Sequence, residues 1–160
     1  MKISPVITPI PGKFRGLFQP YRHKASYGGR GSAKSHSFAR ALMITASEAA
    51  LRTVCCREIQ NSIKDSSKQL LDDVIAEMDL TDARGRSFFR STRDEITGLN
   101  GSLFVFAGLR TNPETVKGKE GFHRAWVDEA NKVSKGSIDL LIPTLRVEGS
   151  ELWWSWNPKN

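Results

Sequence analysis

The sequence predicts an α/β fold with a mostly parallel sheet, and three observations carry that expectation. Short apolar runs alternate with helix-period segments along most of the 160 residues. A glycine-rich stretch, Gly28 to Ser32, lies between one such run and one such segment. A later apolar run, Arg124 to Val127, ends in two acids, Asp128 and Glu129. A chain of this length fits one domain with a sizeable core. Its 39% hydrophobic and 26% charged residues are ordinary for a globular protein.

Taken in order, residues 1–18 read as an irregular arm without clean periodicity, and residues 19–160 as the folded domain. His23 to Tyr27 is a short strand leading into Gly28-Gly29. From Ser35 to about Ala50, Phe38, Leu42, Thr45, Ala46 and Ala49 recur at helical spacing. Thr53 to Cys56 is a second strand. Ser62 to Met78 is the clearest helix, with Ile63, Leu70, Leu71, Val74, Ile75 and Met78 on one stripe. Phe88-Phe89, Glu95 to Thr97 and Leu103 to Phe106 suggest strands, with Asn100-Gly101 marking a β-hairpin excursion. Asn112-Pro113 breaks the chain. Ser134 is placed to cap a helix with Ile138, Leu141, Ile142 and Leu145 on its buried face, distorted at Pro143. Glu151 to Trp156 is a last strand.

Charge is unevenly placed. Residues 1–57 hold ten Lys and Arg against one acid, Glu48, which leaves 14 basic and 16 acidic residues in the remainder. A basic leading third suits a polyanion, either a triphosphate or nucleic acid, or a solvated surface; charge does not separate these. No run approaches the roughly 20 apolar residues of a membrane span, and the N-terminus lacks a signal-type apolar run. Cys55 and Cys56 are adjacent and lack partners at metal-ligand spacing, so they read as small apolar strand residues in a reduced, cytoplasmic protein.

The chemistry concentrates in three places. Gly28-Gly29-Arg30-Gly31-Ser32-Ala33-Lys34-Ser35 sits between strand and helix, where a helix N-terminus offers free N–H groups and the positive end of its dipole to phosphates. Lys34 reaches the β- and γ-phosphates as a mobile charge, and Ser35 places its hydroxyl on Mg²⁺. Ala33 departs from the pattern, which expects glycine; at positive φ it costs about 1 kcal/mol or more, and at negative φ it is tolerated, which is the expectation. Asp128, at the end of its strand, supplies the acid that holds the metal's water shell. Glu129 follows, where an adjacent base orients and activates water. In Trp153-Trp154-Ser155-Trp156-Asn157-Pro158, Asn157 is the first candidate for a γ-phosphate sensor and Ser155 the second; the segment also reads as a turn opener beside core tryptophans.

Together these segments resemble the ATPase domain of the large terminase subunit of tailed bacteriophages. The resemblance rests on Gly28 to Ser35, on Val127-Asp128-Glu129-Ala130 and on Ser155 to Asn160, with support from Cys56 to Ile63 and Leu140 to Arg146. It runs from about Gln19 to Asn160. It implies a RecA-like P-loop core with ATP held by Gly28 to Ser35 and Mg²⁺ by Ser35 and Asp128. Glu129 then acts on the catalytic water, and Asn157 belongs to the motif that couples hydrolysis to DNA movement. Arg30 either reaches the γ-phosphate or switches away from it, and Arg57, also near a strand end, reads first as a structural ion pair.

The implied partners are double-stranded viral DNA, a portal protein, a terminase small subunit and further copies in a homo-oligomeric ring, in the host cytoplasm and without a membrane. In that family a nuclease domain follows. Because the sequence stops at Asn160, the expectation is a fragment or the product of an interrupted gene, without nuclease activity and with an incomplete ATPase sheet. The rival expectations are a nucleotide-binding module without productive turnover and a helicase-like nucleic-acid ATPase.

Overall fold

The computed structural model describes residues 9–29, 31–59, 64–111, 113–117 and 121–158. Its sheet has seven strands: β1 (His23–Tyr27), β2 (Arg52–Arg57), β3 (Phe89–Ser91), β4 (Glu95–Gly98), β5 (Leu103–Gly108), β6 (Arg124–Asp128) and β7 (Glu151–Trp156). They lie in the order β1-β7-β6-β2-β5-β4-β3. The first five in that order are parallel, while β4 and β3 add on antiparallel. Successive strands that run parallel in one sheet require crossovers, which is why helical segments intervene between β1 and β2 and between β6 and β7.

The helices α1 (Lys34–Glu48), α2 (Gln69–Met78), α3 (Pro113–Lys117) and α4 (Lys135–Leu141) divide between the two faces. One core gathers Phe38, Leu42, Leu71 and Val74 against Cys55, Phe104, Trp126 and Trp153. The other gathers Val116 and Leu141 against Val54, Cys56, Val105, Val127 and Leu152. Side chains alternate across a strand, so the adjacent cysteines point into opposite cores. Both are free and buried, and burial pushes both thiols well above their ordinary range.

Most expected elements are present, and the differences have local causes. The helix expected over Ser62 to Met78 becomes a π-helical turn, Lys64–Lys68, leading into α2; Ser62 and Ile63 lie outside the described residues. From Gly12 the expected irregular arm is a 3-10 helix, Gly12–Phe18, because Phe14 and Leu17 are buried against α1, with the Phe14 ring edge-on to Phe38. The chain break expected at Asn112-Pro113 is followed by α3, with Pro113 at its first position, where a missing N–H costs nothing. Ser134 caps α4 by accepting from the Ser137 N–H, and Pro143 turns the helix end into a 3-10 turn. The β4–β5 hairpin carries Gly101 at φ 89° and is fastened to α1 by Asn100, whose Nδ2 donates to Ala46 O at 2.8 Å.

At the N-terminal ends of the strands a charged cluster is buried. Lys24 Nζ donates to Glu151 Oε2 at 2.8 Å and to Leu17 O at 2.7 Å, and Arg124 Nε and Trp153 Nε1 donate to the same carboxylate oxygen. Burial holds Lys24 below the usual ammonium range, against the pull of Glu151. Beside it, His123 Nδ1 accepts the Arg52 backbone N–H at 3.0 Å, so the ring must be neutral there. Burial, then the Arg124 and Arg52 charges, lower its pKa. The unfolded chain therefore takes up this proton first, and stability is lost as pH falls below about 6.5 towards the folded value. Between pH 7.5 and 5.5 the denaturant midpoint is expected to fall, and to fall less in His123→Asn; equal loss in both proteins rules His123 out as the cause.

Candidate functional site

β1 delivers the chain to Gly28, whose N–H donates to Trp156 O at 3.2 Å and ties the loop to the end of β7. A Cβ on Gly28 would stand 3.1 Å from the Ser32 side chain. Gly31 lies at φ 83°, open to glycine and strained for other residues. Arg30 lies outside the described residues. Among the described residues no side chain caps α1 and no acid stands in its first turn, so the helix begins with its positive end turned to the loop.

Ala33 corrects an expectation. Its φ of 59° and ψ of 12° place it in the left-handed region, so alanine is strained there rather than tolerated. The tight reversal that sends Lys34 into the helix requires this conformation, which a residue with a Cβ adopts at a cost of roughly 1–2 kcal/mol.

Lys34 is buried, with Nζ donating to Asn157 Oδ1 at 3.0 Å. The tip of β7 therefore meets the loop through the lysine. Asp128 ends β6 and is 8% exposed. Arg57, at the end of β2, donates Nε to its Oδ2 at 3.2 Å, and Arg57 Nη2 makes a second contact to the same oxygen. Ser67, from the turn before α2, also donates to Oδ2 at 3.1 Å, while Ser155 of β7 donates to Oδ1 at 2.9 Å. Glu129 stands beyond the strand at φ 54°, another strained position without glycine. It is bonded by Lys132 Nζ at 2.7 Å and lies 3.8 Å from Arg57 Nη1.

These groups open on one cleft of about 360 Å³, lined by Gly29, Gly31 to Ser35, Asp128, Glu129 and Asn157. Gly28 stands behind it, bracing the loop. Arg57, His36 and Trp156 line it as well. Arg57 makes the expected ion pair, and makes it with both acids from within the lining of the cleft. Ser155, the second sensor candidate, is fully buried and turned towards Asp128 rather than to the cleft. Ser67 carried no signal in the sequence, because only the fold brings the turn before α2 beside β6.

Comparison with known proteins decides the family. The family described as phage terminase large subunit matches residues 21–160. The chain belongs to the phage terminase large subunit family. A curated relative, the PBSX phage terminase large subunit of Bacillus subtilis (strain 168), is 29% identical over 119 residues, covering 74% of this chain and 27% of the relative. The chain thus spans about a quarter of that terminase's length. Among solved structures, the large terminase of a thermophilic bacteriophage superposes with a TM-score of 0.73 at 13% identity, over 94% of this chain and 40% of that one. The same phage's terminase in complex with ADP gives a TM-score of 0.69 at 14% identity, over 94% and 39%. The Phi-28 gp11 DNA packaging motor gives 0.60 at 15%, over 89% and 48%. At these identities the likeness is one of fold, and it makes the sheet and its flanking helices the RecA-like core of the terminases.

Within that terminase core the strain at Ala33 is directly measurable. Ala33→Gly is expected to raise the free energy of unfolding by about 1 kcal/mol in chemical denaturation. A clear loss of stability, the cost of glycine's added freedom in the unfolded chain with no strain relieved, would mean that Ala33 does not hold the left-handed conformation in solution.

Proposed function

We propose that this chain is the nucleotide-binding part of a viral DNA-packaging motor, which hydrolyses ATP to move double-stranded DNA into a capsid. One observation carries the reading: an uncapped helix N-terminus with Lys34 faces the same cleft as the paired acids Asp128 and Glu129. Family membership supplies the setting, and with it the double-stranded DNA, the portal protein, the small subunit and the ring of like subunits as partners. The host cytoplasm is the matching location; no helix among the described residues is long and apolar enough to cross a membrane.

The loop from Gly28 to Ser35 holds the phosphates through backbone N–H groups, with Lys34 as the mobile cation. Ser35 and Asp128 offer a hydroxyl and a carboxylate to the cleft, a hard-oxygen set that suits magnesium, which keeps several waters and few protein ligands. Magnesium bound there with the nucleotide neutralises charge on the phosphates. Glu129 orients the attacking water and accepts its proton. Asn157 touches Lys34 in this structure, so a phosphate that draws the lysine away is sensed at the tip of β7. Arg30, inside the loop, either reaches the γ-phosphate or switches away from it.

A second reading, nucleotide binding without turnover, is favoured by the pairings seen here. Arg57 holds Asp128, Lys132 holds Glu129 and Asn157 holds Lys34. Each must exchange partners before hydrolysis. A phosphate-release assay beside a nucleotide titration separates the two. Lys34→Ala is expected to abolish binding. Glu129→Gln is expected to keep binding and to lose about 10²–10⁴-fold in turnover. Wild-type chain that binds ATP but releases phosphate only at background, with DNA and portal present, establishes the second reading instead.

A further inference from the structure

We propose that Trp126 and Ser155 are positioning residues that aim the Asp128 carboxylate, so that Oδ2 is the oxygen presented to a magnesium–nucleotide complex. The inference rests on the reading of Asp128 as a magnesium ligand and adds to it which residues set its geometry. Neither residue lines the cleft, and both are fully buried. Their hydrogen-bonded link to the cleft runs through Asp128, whereas an effect passed through Trp156 or through Phe38 of α1 would alter nucleotide affinity without magnesium as well.

Hydrogen-bond valence fixes the direction of the chain of contacts. Trp126 Nε1 donates to Ser155 Oγ at 3.0 Å, and an indole N–H has no acceptor capacity. The Ser155 oxygen is thereby used as an acceptor on that side, and its one proton goes to Asp128 Oδ1 at 2.9 Å. An ionised carboxylate only accepts, so the relay runs one way, from Trp126 through Ser155 to Oδ1. It spans two paired strands, with Asp128 and Ser155 directly opposite in the β6–β7 register. Oδ1 is thus tied inward, and Oδ2 is left on the side of Arg57, which does line the cleft.

The two oxygens consequently differ in how their partners can be replaced. The Oδ1 partner is a neutral hydroxyl in the core with no other place to go. Oδ2 faces Arg57 and Ser67, and the arginine can turn towards phosphate while a cation takes its place. Magnesium demands near-ideal octahedral geometry at short distances, so a carboxylate free to rotate would bind it poorly. Partners behind a metal-binding group commonly contribute about 10–100-fold in metal affinity.

The test is calorimetric titration of the full 160-residue chain with ADP, first in EDTA and then over a series of magnesium concentrations. Ser155→Ala is expected to raise the magnesium midpoint about tenfold and to leave the affinity for ADP in EDTA unchanged. Trp126→Phe, which keeps an aromatic ring in the core, moves the midpoint the same way by less. Ser155→Thr, which keeps the hydroxyl, stays closer to wild type than Ser155→Ala. If Ser155→Ala fails to fold by circular dichroism, Trp126→Phe against wild type decides. An unchanged midpoint in the variants overturns the positioning role. So does an equal loss of affinity in EDTA, which marks a general structural defect. Wild-type chain that binds ADP without any dependence on magnesium removes the metal reading of Asp128 itself, and wild-type chain that binds no ADP removes the proposed nucleotide site.

Discussion

The site depends on one buried carboxylate being fully partnered. Asp128 receives hydrogen bonds from β2, β7 and the turn before α2, through Arg57, Ser155 and Ser67. An ionised group with so little exposure is tolerable only when its oxygens are satisfied, and here satisfying them requires β7, β6 and β2 to lie side by side in register. The strand order places those three ends together. The carboxylate and the sheet order are thus mutually dependent. Removing Asp128 would leave Arg57 with its charge half-buried and its nearest anion gone, which is costlier than losing the attraction alone.

Strain is distributed in the same region. Three residues other than glycine have positive φ among the described residues, Ala33, Asp79 and Glu129, and two of these face the cleft. Ala33 turns the phosphate loop into α1, and Glu129 turns the chain off β6 so that its side chain clears the strand end. Each conformation costs about 1–2 kcal/mol relative to an unstrained backbone. The strand order brings the start of α1 and the end of β6 together, and a reversal at each point turns the chain sharply beside the cleft. Stability is given up locally where the geometry of the cleft requires it.

Much of this was legible in the sequence because it is local. The strand–loop–helix around Lys34, the acid pair after Val127, the Asn100-Gly101 hairpin and the Ser134 cap each depend on residues close in the chain, and all four stand where the pattern puts them. What could not be read is what only the fold brings together. Ser67 lies 61 positions from Asp128 and Arg57 lies 71 away; no periodicity connects them. The direction of Ser155 follows from which strand β7 pairs with, and strand order is a non-local outcome. Ala33 departs from expectation for a different reason. The presence of every other element of the loop favours a tolerated alanine, but the tertiary requirement to aim Lys34 at Asn157 and the cleft prevails over local preference, as it commonly does at functional sites.

The two ends of the parallel sheet show what separates a structural charge cluster from an operative one. At the N-terminal ends, Lys24, Arg124 and Trp153 converge on a single oxygen of Glu151, under cation–π contact with the Trp153 ring. At the C-terminal ends, Arg57 and Ser67 converge on one oxygen of Asp128. The chemistry is closely similar, yet among the described residues of the first cluster only Lys24 lines a pocket, one shared with Phe14, Leu17 and Tyr21 and holding neither Glu151 nor Arg124. The second opens on a cleft, so a phosphate can take Arg57 or Lys34 from its present acceptor, and a cation can take Asp128 Oδ2 in return. Exchange of that kind involves little net change in the number of charge-assisted hydrogen bonds, which makes it thermodynamically accessible where the burial of a bare charge would not be. Access to the cleft, more than any property of the ion pairs themselves, lets one end of the sheet work while the other only holds.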